Sequence, residues 1–107
     1  MFAIGTIDVD LPTRDELDLG TLLQALADPV RLQIVTTLAH AEGEVSCGEF
    51  PLGVSKSTAS HHFKVLRDAG VLRSRHEGTR RLHSLRRDDL DARFPDLLDA
   101  VLHAAHA

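Results

Sequence analysis

Between residues 55 and 87 the chain gathers side chains suited to binding an anion and reading hydrogen-bonding edges. Ser57, Thr58, Ser60 and His61 are short donors and acceptors, and Lys56 and Lys64 add positive charge beside them. Arg73, Arg75, Arg80 and Arg81 follow. This stretch holds nine Lys or Arg against two acids, a net of +7, while the rest of the chain sums to −11 and the whole to −4. Such segregation marks where an anionic partner docks; the plain alternative is a solvated charged face.

Other chemistries are poorly supplied. No nucleophile–base pair, phosphate-binding glycine loop or complete catalytic metal set appears, so an enzyme is not expected. With no Trp or Tyr and four Phe, the chain lacks a stacking platform for single-stranded nucleic acid. Cys47 is the single cysteine, cannot form an internal disulfide, and reads as a small, partly buried residue. No apolar run approaches the ~18 residues of a membrane span, and the N-terminal stretch lacks the pattern of a signal peptide. A cytoplasmic location with no membrane partner is the expectation.

The elements that must position these residues can be read from apolar spacing and caps. At 107 residues the chain fits one domain, expected over 15–107, after a flexible arm over 1–14. Leu19, Leu22, Leu23 and Leu26 form an apolar stripe on a first helix from Asp15 to Ala27. Asp28 followed by Pro29 is a helix start, leading to a second helix that ends near His40. A short segment from Ser46 to Leu52 is a brief third helix limited by Pro51. Ser55 caps a fourth helix, which Gly70 ends. Its inner face carries Ala59, His62, Phe63 and Leu66, with His62 expected to be a hydrogen-bonded core histidine. Val71 to His76 and Arg80 to Leu85 form a β-hairpin around Gly78. Helix resumes from Arg86 in two pieces, because Pro95 disfavours helical geometry at Phe94 and suits the first position of a new helix, and that last helix carries Leu97, Leu98, Val101 and Leu102. That terminal ridge is covered either by the chain's own core or by a second copy; the reading adopted is a dimer interface shared with the first apolar stripe.

Two helices joined by a glycine-containing turn, the second beginning with small polar and basic residues, form a helix-turn-helix. The major groove of B-DNA admits one helix whose first turns reach base edges, provided that bulky side chains stay on the other face. The arginines of the hairpin then lie where they can straddle the backbone and reach the minor groove. The fold expected is mainly α with a small β-hairpin, a dimeric winged helix-turn-helix in the order α-α-α-α-β-β-α. The expected partner is double-stranded DNA; the competing reading is a winged-helix module that binds another protein.

The run LADPVRLQIVTTLA, followed by SKSTASHHFKVLRDAGVLRSRHEGTRRLHSL, closely resembles the ArsR/SmtB family of bacterial regulators over roughly residues 20 to 106. The resemblance implies a homodimer held by its first and last helices, recognition helices in successive major grooves, and repression of a promoter until an inducer binds. It also invites a check for the family's metal sites. A thiolate site before the recognition helix would need cysteines where Ser46 and Gly48 stand, with Cys47 between them. A C-terminal inter-subunit site is half present: His103 and His106, whose i, i+3 spacing puts both imidazoles on one helical face, match one half, but the other offers Asp89, Asp91 and Arg93 without a histidine. The resemblance implies that these two imidazoles, with the carboxylates of Asp89 and Asp91, hold nickel, cobalt or zinc; the alternative is a frayed, solvated terminus. The inducer is left unassigned.

Overall fold

The computed structural model describes residues 11–41, 43–50 and 52–105. Helices α1 (Leu19–Leu26) and α2 (Pro29–Ala41) lead to a short strand β1 (Val45–Ser46). Then come α3 (Lys56–Asp68), the hairpin β2 (Leu72–Glu77) and β3 (Arg80–Leu85), and helices α4 (Arg87–Arg93) and α5 (Leu97–Ala105). The strands form one antiparallel sheet in the order β1-β3-β2. Among the described residues no helix is long and apolar enough to cross a membrane.

Local chemistry explains the boundaries. Helix α1 starts at Leu19, later than the expected Asp15, because the Asp18 carboxylate accepts from the Thr21 amide at 2.9 Å and fixes the cap there. Residues Arg14–Glu16 instead form a 3-10 turn closed by Thr13, whose amide donates to Glu16 at 2.8 Å. As expected, Asp28 caps α2, accepting from the Val30 and Arg31 amides at 2.9 and 3.0 Å, with Pro29 opening the helix. Ser55 caps α3 through the Thr58 amide. At the other end of α3, Gly70 donates to the Arg67 carbonyl and Val71 to the Leu66 carbonyl, a paired closure that needs a left-handed residue. Gly70 has φ of 85°, and a Cβ there would lie 2.2 Å from Leu17, so both conformation and space require glycine.

Three expectations change. The segment from Ser46 to Leu52 is not a helix: Val45 and Ser46 pair with His83 and Leu82 of β3, and Cys47–Glu49 makes a single 3-10 turn. Pro95 does not open the last helix either. Phe94 leaves helical geometry with φ of −133° and ψ of 76°, Asp96 takes a φ of 67°, and α5 begins at Leu97. Of the expected flexible arm, residues 1–10 lie outside the described residues, whereas residues 12–14 are tied to the body of the protein. The Pro12 carbonyl accepts from Arg86 at 2.7 Å, and Arg14 donates to Asp89 at 2.7 Å.

A single apolar core joins Ile34, Val35 and Leu38 of α2 to Phe63 and Leu66 of α3, with Val71 and Leu72 leading into the sheet. Leu22, Leu26, Leu90 and Leu98 close it from α1, α4 and α5. Burying side chains of this kind contributes about 1.5–3 kcal/mol each, opposed by the entropy of ordering the chain. Its consequence for the site is a rigid seat for α3, whose apolar face is locked inward and whose polar face must therefore point out.

Candidate nucleic-acid interface

The polar face of α3 is assembled as its sequence dictates. Lys56, Ser57, Thr58, Ser60, His61 and Lys64 are all exposed, while Phe63 and Leu66 on the opposite face are buried. Not every one of these groups is free to reach outward. The Thr58 hydroxyl accepts from Ser55 at 2.9 Å and belongs to the cap. Lys64 holds Asp68 at 2.6 Å across one helical turn, which offsets part of its charge. Ser57, Ser60 and His61 carry the least encumbered hydrogen-bonding groups of the face.

The four hairpin arginines divide into two pairs. Arg73 turns toward α4, 3.7 Å from Asp88 and 3.5 Å from Asp89. Arg75 makes a bidentate pair with Glu44, at 2.6 and 2.7 Å, and also reaches Glu77. Glu44 is held below its ordinary pKa chiefly by that hydrogen bond, and Arg75 is raised for the same reason. Two of the four expected DNA contacts are thus neutralised by acids of the same chain. Arg80 and Arg81 remain at the tip, both exposed, next to the two-residue loop in which Gly78 adopts a φ of 62°. Arg80 lies 4.0 Å from Glu49 and from Glu77, distances at which exposed pairs hold weakly.

Polar contacts also link α2 to α3. Arg31 of α2 donates to the Ala25 carbonyl at 2.6 Å and contacts the His62 Nδ1 at 3.2 Å; Asp28 stands 3.8 Å from the same imidazole. Since a guanidinium only donates, His62 accepts at Nδ1 and joins the two helices of the helix-turn-helix. This is the hydrogen-bonded role expected for His62. Farther along, His83 is fully buried, stacked on Phe63 with ring centroids 4.2 Å apart and planes 5° from parallel. Its Nδ1 lies 2.6 Å from the Ser74 hydroxyl, and its Nε2 has no partner among the described residues. Burial, with Arg81 and Arg67 nearby, pushes its pKa down to about 4. Isolated in sequence, His83 gave no signal; only the strand pairing brings it against α3.

The expected dimer residues separate by depth. Leu22, Leu26 and Leu98 are buried in the protomer's own core, because α1 and α5 close over it. Leu97, Val101 and Leu102 are partly exposed at its edge, and Leu19 and Leu23, one helical turn apart, are each 45 % exposed. The remaining apolar surface of α1 is therefore narrower than its sequence stripe.

Asp89 and Asp91, the two carboxylates among the expected metal ligands, are engaged by arginines. Asp89 is buried and accepts from Arg86 at 2.9 Å and Arg14 at 2.7 Å, with Arg73 also in contact. Burial opposes its ionisation, but those guanidinium hydrogen bonds hold its pKa below the ordinary carboxylate value. Asp91 pairs with Arg87 at 3.5 Å. A cation would have to displace arginines that already neutralise both carboxylates. His103 is exposed on α5, and His106 lies outside the described residues. Among the described residues, no three potential ligands cluster. Cys47 is half-buried, as expected, and has no second thiol to join it.

Comparison with known proteins places this geometry in context. Residues 26–75 match a helix-turn-helix domain. The HTH-type transcriptional regulator YceK of Bacillus subtilis is 38% identical over 82 residues, covering 75% of this chain and 82% of that one. The HTH-type transcriptional repressor SmtB of Mycobacterium tuberculosis is 39% identical over 94 residues, covering 87% of this chain and 67% of that one. Among solved structures, similarity extends to the homodimeric winged helix-turn-helix DNA-binding domain of a possible ArsR-family transcriptional regulator from Mycobacterium bovis. That match has a TM-score of 0.64 and 31% identity, covering 79% of this chain and 78% of that one. These relatives are transcriptional regulators, and the shared fold is a winged helix-turn-helix.

Proposed function

The chain belongs to the ArsR/SmtB family of DNA-binding transcriptional regulators, and from that membership we propose that it acts as a homodimeric repressor of a palindromic operator. The observation that carries this reading is the exposed polar face of α3 beside a hairpin tip with two exposed arginines. Ser57, Ser60 and His61 read base edges in the major groove. Lys56 and Lys64 contact phosphates at the margins of that helix, and Arg80 and Arg81 engage the neighbouring backbone and minor groove. The acidic remainder of the chain repels DNA elsewhere and leaves one face to dock.

Two copies follow from the geometry of the target. A single recognition helix reads only a few base pairs, and a two-fold dimer places a second helix one turn of DNA away on a palindrome. The exposed Leu19 and Leu23, with the partly exposed Val101 and Leu102, supply the apolar surface for that pairing. The SmtB relative is a repressor, which supports the same sense of regulation here. Metal sensing through Asp89 and Asp91 is not part of the proposal, because both carboxylates are held by arginines.

Affinity for duplex DNA measured against salt tests the reading. Counterion release predicts a steep, linear fall of log affinity with log salt, and preference for operator over unrelated duplex by roughly three orders of magnitude or more. A flat salt response would instead indicate a winged-helix module that binds protein.

A further inference from the structure

A cleft of about 230 Å³ opens between α3 and the sheet, walled by Ser60, Lys64 and Arg67 of α3, by Arg81 and His83 of β3, and by Cys47. That is several times the roughly 30 Å³ share of one water, so the space admits a small molecule. Phe63 completes a lining in which three of the seven residues, Lys64, Arg67 and Arg81, carry positive charge. Among the described residues neither the Arg67 nor the Arg81 guanidinium has a hydrogen-bond or ion-pair partner, and Lys64 adds a third positive charge, shared with Asp68. His83 is fully buried, yet its Nε2 is unpartnered. An unpaired polar atom in such a place is costly unless something satisfies it.

We infer that this cleft binds a small free anion bearing a carboxylate or phosphate group, and that its occupancy opposes DNA binding. Guanidinium groups match both anions through paired N–H donors. His83 completes the set as a neutral donor: when the Ser74 hydroxyl donates to Nδ1, the ring proton resides on Nε2. The ring stays uncharged near neutral pH because burial and the two arginines push its pKa down to about 4. The link to regulation is shared residues. Ser60 and Lys64 belong both to the cleft wall and to the α3 face assigned to DNA, so an anion there draws positive charge away from the docking surface. This second half of the inference rests on the DNA-contact reading proposed above; the first half does not.

The test is carried out first without DNA. Inorganic phosphate is titrated into the full chain at ionic strength held constant with chloride, while the ¹⁵N shift of the His83 ring is followed by long-range ¹H–¹⁵N spectra. The expected result is a saturable shift at Nε2 that disappears in the Arg67→Gln, Arg81→Gln double variant, both positions being outside the core. Absence of saturation overturns the anion site, as does saturation that persists in the double variant. The second arm measures operator affinity with phosphate against chloride at matched ionic strength. Phosphate should weaken it by about fivefold beyond chloride in the wild-type chain and by nothing extra in Arg67→Gln. If phosphate saturates the ring but leaves DNA affinity unchanged, the opposition to DNA is wrong while the site stands. If phosphate fails to bind and Arg67→Gln alone weakens DNA binding, the cleft is a contact for the DNA backbone and the inference is overturned.

Discussion

Arg75 on β2 grips Glu44 through two hydrogen bonds, Nε to Oε2 at 2.6 Å and Nη2 to Oε1 at 2.7 Å, across the central strand of the sheet. Glu44 directly precedes β1, whose Val45 pairs with His83, while Arg75 pairs with Leu82 of the same strand. The pair therefore ties the two outer strands together over β3. It also removes Arg75 from the set of cations available to phosphate. Replacing Arg75 with Ala should leave the slope of log affinity against log salt unchanged, whereas Arg80→Ala should reduce it by about 1. Because both partners are solvent-exposed, loss of the pair should leave the denaturant midpoint nearly unchanged. Equal slopes for the two variants would contradict this division of the arginines.

Ser60→Ala and His61→Ala should weaken operator binding by about 1–3 kcal/mol each and barely alter affinity for unrelated duplex. Arg81→Ala should weaken both in parallel, since a phosphate contact carries no sequence information. Competition between operator and random duplex in a mobility-shift assay separates these outcomes. Parallel losses at Ser60 and at Arg81 would show that α3 does not read bases in the assigned way.

Much of this site was legible in the sequence because its determinants are local. Asp28 followed by Pro29, Ser55 with Thr58, and Gly70 are start and stop signals acting within a few residues, and they fixed α2 and α3. The apolar spacing of Phe63 and Leu66 then set which face of α3 turns outward. What the sequence could not convey depends on distant pairing. Strand β1 exists only because Val45 meets His83, and a two-residue strand has no periodicity of its own. The same pairing carries His83 onto Phe63. Likewise Arg73 and Arg75 have the composition of DNA contacts, and only the fold reveals Asp89 and Glu44 beside them.

His83 should make stability fall as pH drops below 6.5. Folded, its pKa is about 4; unfolded, it returns to the ordinary 6.5. The neutral ring's contribution is complete above pH 6.5 and is lost progressively as pH falls toward 4, because the unfolded chain takes up the proton first. Between pH 6.5 and 5 the loss should be about 1.5 kcal/mol, in a window above the carboxylate pKa values. Denaturant unfolding at a series of pH values, compared with His83→Phe, isolates the contribution: the variant should show a shallower dependence. Coincident slopes would assign the pH dependence to another group.

The Asp89 cluster should behave as a structural ion network. Arg86 is 1 % exposed and depends on Asp89 for its Nε partner at 2.9 Å, so Asp89→Ala leaves a buried guanidinium uncompensated. A destabilisation of about 3–5 kcal/mol is expected, readable from chemical unfolding. Calorimetric titration with nickel, cobalt or zinc should give the same result for a milder variant, Asp89→Asn, as for the wild-type chain. A change in metal affinity on that substitution would restore Asp89 as a ligand.

Dimerisation and core packing can be separated on one helix. Leu19 and Leu23 are each 45 % exposed in the protomer, whereas Leu22 between them is 3 % exposed. Leu23→Asp therefore adds charge to a surface the protomer leaves partly open, outside its buried core. It should shift the mass in solution from dimer to monomer, with little change in the helical signal. Leu22→Ala should instead destabilise the fold by about 2–5 kcal/mol, because a cavity opens in the core of each protomer. Loss of the dimer should also weaken operator binding far more than binding to a single half-site, since only the palindrome uses both recognition helices. If Leu23→Asp remains dimeric at micromolar concentration, the pairing surface lies elsewhere, and the partly exposed Val101 and Leu102 of α5 become the residues to substitute next.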